Sequence, residues 1–153
     1  FDKDDAIFAN EIRKTLTAED IAASFQRAGR DTPPDLPLCD FVAPLDRPSI
    51  GGEGSTDVGD VSWVTPTVQA RVATCAVGTP FHTWQTVAQG KAPAAHKGMI
   101  HAAKVMAATA THLINSPETL RAAREVHDQR RSATPYECPL PKDARPPVIE
   151  KPS

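Results

Sequence analysis

Apolar side chains recur every three to four residues in four segments of the chain, and this spacing predicts four helices. The predicted helices span residues 4–16, 18–28, 95–115 and 117–131. Because methionine adapts to irregular gaps between packed side chains, we expect the apolar stripe of the third helix to belong to the protein core. That stripe contains Met99, Ala103, Met106, Ala110 and Leu113, and it is widened by Ile100, Ala107 and Ile114.

Residues 67–77 follow a different pattern, in which apolar side chains alternate along the segment. Alternation with a period of two predicts a β-strand, and the apolar character of both faces toward its end predicts an inner strand covered on both sides. Proline is frequent in residues 31–54 and 133–153, which predicts a long connection and an extended tail. We therefore expect an α/β fold, with helices packed on a partial sheet over residues 1–132 and a Pro-rich extended tail over 133–153.

The composition excludes several classes of protein. Charged residues make up 24% of the 153 residues and the net charge is −2, so the chain is not a strongly basic nucleic-acid binder. No segment is apolar and long enough to predict a membrane span. The three cysteines lie far apart, which predicts free thiols in a reducing compartment, the cytoplasm. The chain begins with Phe1 rather than Met, which predicts a processed chain or a piece of a longer one.

Among the histidines, His82 has the position best suited to chemistry. It lies in the loop that leaves the predicted inner strand, and in α/β sheets ligand and catalytic groups are concentrated in such loops. It can bind a metal, or it can act with Cys75 as a nucleophile pair, although no metal-binding residue lies near it at the usual sequence spacing. His127 lies on an apolar stripe, so we expect it to be partly buried and hydrogen-bonded. His96 lies in the first turn of its helix.

Residues 54–57 form a second candidate site. Gly54 gives the backbone conformational freedom, while Ser55, Thr56 and Asp57 add two hydroxyls and a carboxylate. Such a turn can donate N–H and O–H hydrogen bonds to an anionic substrate group. It can equally be a capped turn in which Ser55 or Asp57 binds the local backbone, and the residues alone do not decide between the two.

Four runs of residues carry a resemblance to a known family. They are GEGSTDVGDVSWV at 52–64, GTPFHTWQ at 78–85, AHKGM at 95–99 and YECPLPKD at 136–143. In this order they resemble metal-dependent amidohydrolases of peptidase family M20, and most closely the aminobenzoyl-glutamate hydrolase branch. The resemblance covers nearly the whole chain and implies the C-terminal part of the catalytic domain, which in the family is an α/β sheet that carries a two-metal site. A smaller dimerisation domain is inserted in that domain, so the complete enzyme is expected to be a homodimer.

The resemblance also implies roles for individual residues. His82 matches a metal ligand of the family, so zinc or manganese is the implied cofactor. Gly54, Ser55 and Thr56 match a loop that lines the substrate site. Asp57 is implied to be a structural support there. His96 matches a position shared by this branch, but the resemblance assigns it no role.

Most of the family's metal site has no counterpart in this chain. The early H-x-D motif, the paired glutamates and the second histidine ligand are missing, and one of those glutamates would be the general base. We therefore expect part of an amidohydrolase that cleaves the amide of an N-acyl amino acid, such as aminobenzoyl-glutamate, or of a short peptide, and that is inactive alone. The alternative is a non-catalytic fragment or subunit that pairs with a chain carrying the remaining metal ligands.

Overall fold

The computed structural model of the chain describes residues 1–30, 35–45 and 56–146. The described residues contain six helices and no strand, so the expected α/β fold with helices packed on a partial sheet is wrong for this chain. In chain order the helices are α1 (Lys3–Arg13), α2 (Ala18–Arg27), α3 (Val58–Val64), α4 (Trp84–Gln89), α5 (Pro93–Asn115) and α6 (Pro117–Ala133).

The segment predicted to be a strand, residues 67–77, is irregular. Near its end, the N–H of Ala76 donates to Gln89 Oε1 at 2.7 Å, and the N–H of Val77 donates to the carbonyl of Pro37 at 2.9 Å. A strand requires a neighbouring strand that continues such bonds as a ladder, and the described part of the chain supplies none. Apolar side chains do alternate in this segment, but the described ranges contain no second strand to which its backbone could bond.

The chain divides into two compact units. Unit 1 comprises Phe1–Ser55 and Val68–Asn115, and it contains α1, α2, α4 and α5. Unit 2 comprises Thr56–Thr67 and Ser116–Ser153, and it contains α3 and α6. The domain boundary expected at residues 132 and 133 stays a prediction.

Local side-chain bonds explain where the first two helices begin. In α1, the carboxylate of Asp2 accepts from the N–H of Asp4 at 3.1 Å and of Asp5 at 3.0 Å. Asp5 returns the interaction, since its carboxylate accepts from the N–H of Asp2 at 2.8 Å, which completes a capping box. In α2, the Thr17 hydroxyl oxygen accepts from the N–H of Asp20 at 3.0 Å. These bonds satisfy N–H groups that have no partner within the helix.

The core of unit 1 is small and built mainly from aliphatic side chains. The buried cluster brings together α1, α5 and two connecting segments through Ala9, Ile12, Leu38, Ala76 and Ala94. Phe25 of α2 is also buried, with 1% of its surface exposed.

The apolar stripe predicted for α5 is not part of this core. Met99 is 60% exposed, Met106 is 65% exposed and Ile114 is 80% exposed. The buried residues of α5 are instead Ala94 and Gly98, which lie on another face of the helix. The expectation that the stripe is core packing is therefore wrong for this chain, because the buried residues of α5 are small and lie on another face.

Unit 2 is held together by hydrogen bonds and aromatic contacts. His127 is 9% exposed, and its Nε2 lies 3.1 Å from the carbonyl oxygen of Ser62, which confirms the expectation of a partly buried, hydrogen-bonded histidine. The hydroxyl of Tyr136 donates to Asp60 at 2.8 Å. The ring of Tyr136 also packs against Trp63, with 5.8 Å between centroids. These contacts attach the segment after α6 to α3.

Two expectations from composition can be compared with the structure. Cys39, Cys75 and Cys138 are all free, as the sequence predicts. Among the helices of the described ranges, none combines the length and apolar character needed to cross a bilayer. A cytoplasmic location stays a prediction.

Candidate functional site

His82 lies in the turn that precedes α4, and its side chain is exposed. Its backbone adopts the left-handed conformation, with φ at 62°. Residues with a Cβ rarely adopt this conformation, and they keep it only where the surrounding structure holds them in place. Such positions are concentrated at functional sites, which makes the turn around His82 the strongest candidate site in unit 1.

Threonine hydroxyls hold this turn in place. The carbonyl oxygen of Pro80 accepts from the hydroxyls of Thr83 at 2.8 Å and of Thr86 at 2.7 Å. One turn earlier, the hydroxyl of Thr79 donates to the carbonyl of Ala76 at 2.7 Å. The backbone on both sides of His82 is therefore fixed by short bonds that do not involve its imidazole.

Gln89 fastens the turn to the helix that follows it. Only 3% of this residue is exposed, and its amide nitrogen donates to Thr79 Oγ1 and to the carbonyl of Gln85, both at 3.0 Å. Its amide oxygen accepts from the N–H of Ala76, as described above. The sequence gives no signal for this role, because a single glutamine in a short helix predicts an exposed side chain.

Gly78 brings the same turn against α2. Its φ is 96°, and an added Cβ would lie 2.7 Å from Cγ1 of Ile21. A side chain here would be strained by the backbone conformation and by the contact. Several residues of the run at 78–85 thus stabilise the backbone conformation of the turn that contains His82.

Within the run at 95–99, Lys97 forms an ion-pair cluster with two aspartates of the N-terminal segment. Nζ of Lys97 lies 2.6 Å from the carboxylate of Asp5, whose side chain is 1% exposed, and 2.5 Å from that of Asp2. The hydrogen bond from Lys97 lowers the pKa of Asp2 to about 2. The hydrogen bonds to Asp2 and Asp5 raise the pKa of Lys97. Lys97 therefore joins α5 to the start of α1, and the structure gives it a stabilising contact rather than a free charge.

His96 and Cys75 line a small cavity of about 260 Å³, together with Phe81 and Met99. His96 is itself exposed. Burial raises the pKa of the Cys75 thiol, and a protonated thiol is a weak nucleophile. This disfavours the alternative in which Cys75 and His82 form a nucleophile pair.

An open cleft of about 900 Å³ runs along the other side of α5. Basic groups, including Arg27, Arg71 and His101, lie on a mostly apolar lining that does not include His82. Lys97 also reaches this cleft, but its charge is already balanced by α1. The cleft is therefore separate from the candidate metal ligand.

The second candidate site is described only in part. Gly54 and Ser55 lie outside the described residues. The hydroxyl oxygen of Thr56 accepts from the N–H of Val58 at 3.3 Å, which is a local turn bond at the start of α3. Asp57 occupies the N-cap position of α3 without a side-chain cap bond. The substrate role of residues 54–56 and the supporting role of Asp57 stay predictions.

The described residues do not form a complete metal site. Within these ranges, no group of three or more His, Cys, Asp or Glu side chains is placed to hold a metal ion. An exposed imidazole such as that of His82 suits a zinc or manganese ligand, but one imidazole is fewer than the three or four protein ligands that such sites use. The cofactor stays a prediction.

The comparison with known proteins agrees with the resemblance found in the sequence. The chain is similar to a subunit of p-aminobenzoyl-glutamate hydrolase from Escherichia coli (strain K12). The two are 39% identical over 160 residues, a match that includes 95% of this chain. The chain spans 32% of the length of this curated relative. No protein-family model matches the chain, and no solved structure matches it.

The similarity to this E. coli subunit supports the link to aminobenzoyl-glutamate hydrolases. Membership of peptidase family M20 and the position of the chain within the longer protein stay predictions. The relative's name describes one subunit of an enzyme.

Proposed function

We propose that this chain is the C-terminal part of a metal-dependent amidohydrolase of family M20. Its substrate would be an N-acyl amino acid resembling aminobenzoyl-glutamate, or a short peptide, and the chain would be inactive alone. The observation that carries this proposal is the 39% identity, over 95% of the chain, to the p-aminobenzoyl-glutamate hydrolase subunit.

In this proposal His82 contributes one ligand to a zinc or manganese ion, and the other ligands come from polypeptide outside this chain. The exposed imidazole and the clamped left-handed turn support the role, since none of the contacts described in unit 1 needs a histidine in that strained conformation for packing. When bound, such a metal supplies polarisation of the amide carbonyl and activation of water.

The turn at 54–56 would contact the substrate. Gly54, Ser55 and Thr56 offer backbone N–H groups and hydroxyls that suit a carboxylate such as that of a glutamate product. Asp57 would support the turn. This part of the proposal rests on the resemblance of the run at 52–64.

A second candidate function is a non-catalytic subunit that pairs with a chain carrying the remaining ligands. Two observations favour it: the relative is named a subunit, and the described residues hold no set of three metal ligands. The two candidates differ in whether the missing ligands are joined to this chain covalently.

A chimera tests the proposed function. The part of the E. coli hydrolase subunit that matches this chain is replaced by these 153 residues. We expect the chimera to hydrolyse p-aminobenzoyl-glutamate under the conditions in which the parent subunit does so, and the isolated chain to show no turnover. His82→Ala should lower the rate at least about 100-fold, while His112→Ala, an exposed histidine of α5, should leave it unchanged.

The outcomes separate the parts of the proposal. A folded chimera that is inactive, beside an active parent subunit, would contradict the amidohydrolase assignment. An active chimera in which His82→Ala retains full activity would contradict the role of His82 alone. Turnover by the isolated chain would contradict the expectation that it lacks essential ligands.

A further inference from the structure

Helix α5 presents a second apolar face that nothing in the described part of unit 1 covers. Seven apolar residues of this face, four large and three small, are exposed. The large ones are about half to four-fifths exposed: Ile100 52%, Met99 60%, Met106 65% and Ile114 80%. The alanines at 103, 107 and 110 lie between them in sequence and are also exposed.

At 3.6 residues per turn, these seven positions fall within an arc of about 120° of the helix surface. Ala94 and Gly98, the buried residues of α5, lie on a different part of the circumference. A third arc, between the apolar face and the buried face, carries Lys97, Lys104 and Ala108. The helix therefore has a buried face, a neighbouring face whose Lys97 pairs with α1, and an apolar face that carries no charged residue.

A helix that is apolar on two faces is typical of an element buried between two layers, not of one at the surface of a small unit. Contiguous exposed apolar surface of this kind marks a site of association. Its lack of charge suits an apolar protein surface.

The relative indicates which polypeptide supplies that surface. This chain spans 32% of the E. coli hydrolase subunit, so about two thirds of that protein has no counterpart here. We propose that the exposed apolar face of α5, from Met99 to Ile114, docks against an apolar surface of the polypeptide that corresponds to this unmatched part. The inference deepens the proposed function and rests on it, because it names the surface through which the chain joins the rest of the hydrolase.

The same face begins next to the candidate site. Met99 lines the small cavity that also contains His96 and Phe81, and Phe81 precedes His82 in the clamped turn. Docking on α5 would therefore bring the other polypeptide to the part of unit 1 that carries the exposed imidazole. In this arrangement the docked polypeptide would supply the metal ligands that this chain lacks.

Two alanines on opposite sides of α5 allow a matched test. Ala110 lies near the middle of the apolar face, Ala108 lies about 160° away around the helix, and both are exposed. Ala110→Cys and Ala108→Cys are each made in the isolated chain and in the chimera, with the native cysteines distinguished by mass spectrometry of the labelled peptides. We expect maleimide labelling at position 110 to be at least tenfold slower in the chimera than in the isolated chain, while labelling at position 108 changes less than twofold.

Several results would overturn the docking proposal. Equal labelling of position 110 in both proteins would show that the face stays open. Protection in the isolated chain that disappears on dilution would show that a second copy covers it, and protection at all dilutions would show that the chain itself does. If the chimera does not fold, co-purification of this chain with the tagged unmatched part of the E. coli subunit decides the question: Ala110→Glu must abolish it and Ala108→Glu must preserve it.

This test is independent of hydrolysis. A chimera that protects position 110 but has no activity would leave the docking surface in place and contradict the hydrolase assignment. An active chimera in which position 110 stays fully reactive would support the hydrolase assignment and contradict the docking surface.

Discussion

Replacing Gly98 with alanine should destabilise unit 1, although the same change stabilises most helix interiors. Gly98 is buried where α5 crosses the segment before the His82 turn. A Cβ added there would overlap the carbonyl oxygen of Ala73 and would lie 2.9 Å from Cγ2 of Thr74. The obstacle is mainly backbone, so a rotamer change cannot relieve it.

The size of the effect follows from two opposing contributions. A carbon and a carbonyl oxygen approach to about 3.3–3.6 Å, so α5 and the segment must separate by roughly 1–1.5 Å. Overpacking of this kind costs about 1–3 kcal/mol. The gain in helix propensity from glycine to alanine offsets about 0.5–1 kcal/mol of that cost. Because the clash is with backbone, the cost should lie in the upper part of its range, and we expect a net loss of about 1–2 kcal/mol in the free energy of unfolding.

Gly59 of α3 provides the matched control, because an added Cβ there meets nothing within 4 Å. Gly59→Ala should therefore be neutral or stabilising by up to about 1 kcal/mol. Each unit contains one tryptophan, Trp84 in unit 1 and Trp63 in unit 2. Urea unfolding followed by Trp84 fluorescence in a Trp63→Phe background reports on Gly98→Ala, and the reverse background reports on the control.

With the usual slopes for small proteins in urea, the unfolding midpoint of unit 1 should fall by roughly 0.5–1 M in Gly98→Ala. A midpoint equal to or above that of the parent would refute the reasoning. It would mean that position 98 behaves as an ordinary helix interior and that α5 does not approach Ala73 closely.

Three further predictions concern side-chain bonds. Lys97 lowers the pKa of Asp2 to about 2, so the ion pair stabilises the fold above about pH 4 and loses this effect as the pH falls toward 2. Asp2→Asn keeps an N-cap but removes the titrating carboxylate, so its stability should fall less than that of the parent over this range. The hydrogen bond to Asp60 raises the pKa of Tyr136, the single tyrosine, so its ultraviolet titration should move back toward about pH 10 in Asp60→Asn. Gln89→Leu should cost about 1–3 kcal/mol in urea unfolding, because it leaves buried polar groups unpaired.

Each of these predictions has an outcome that contradicts it. Identical acid unfolding of the parent and Asp2→Asn at low salt would show that the ion pair between Asp2 and Lys97 does not stabilise the fold. A Tyr136 titration that is unchanged in Asp60→Asn would show that the carboxylate is not its partner. Unchanged stability in Gln89→Leu would show that the His82 turn does not depend on this amide.

Local features of the fold could be predicted from the sequence because their causes are local. The predicted helices at 18–28 and 95–115 agree with α2 and α5 to within two residues, since apolar spacing and the Thr17 cap act over a few positions. Helices α3 and α4 were missed because seven and six residues are too short for a periodic signal.

Features that depend on distant partners could not be predicted in the same way. Alternation at 67–77 did not reveal that the N–H of Ala76 would bind Gln89 rather than a neighbouring strand. The spacing of Met99 and Met106 correctly identified an apolar face but not that this face would be exposed. For the candidate site, the sequence singled out His82, but its left-handed backbone and the threonine bonds that hold the turn depend on contacts that no local pattern predicts.

The metal content of the chimera shows whether His82 is a metal ligand. The purified chimera, its His82→Ala variant and its His112→Ala variant are dialysed against trace zinc or manganese, and bound metal is measured by mass spectrometry. We expect tightly bound metal in the chimera and in His112→Ala, and a loss of at least about tenfold in affinity in His82→Ala. Equal metal content and affinity in all three folded proteins would contradict the claim that the imidazole of His82 is a metal ligand.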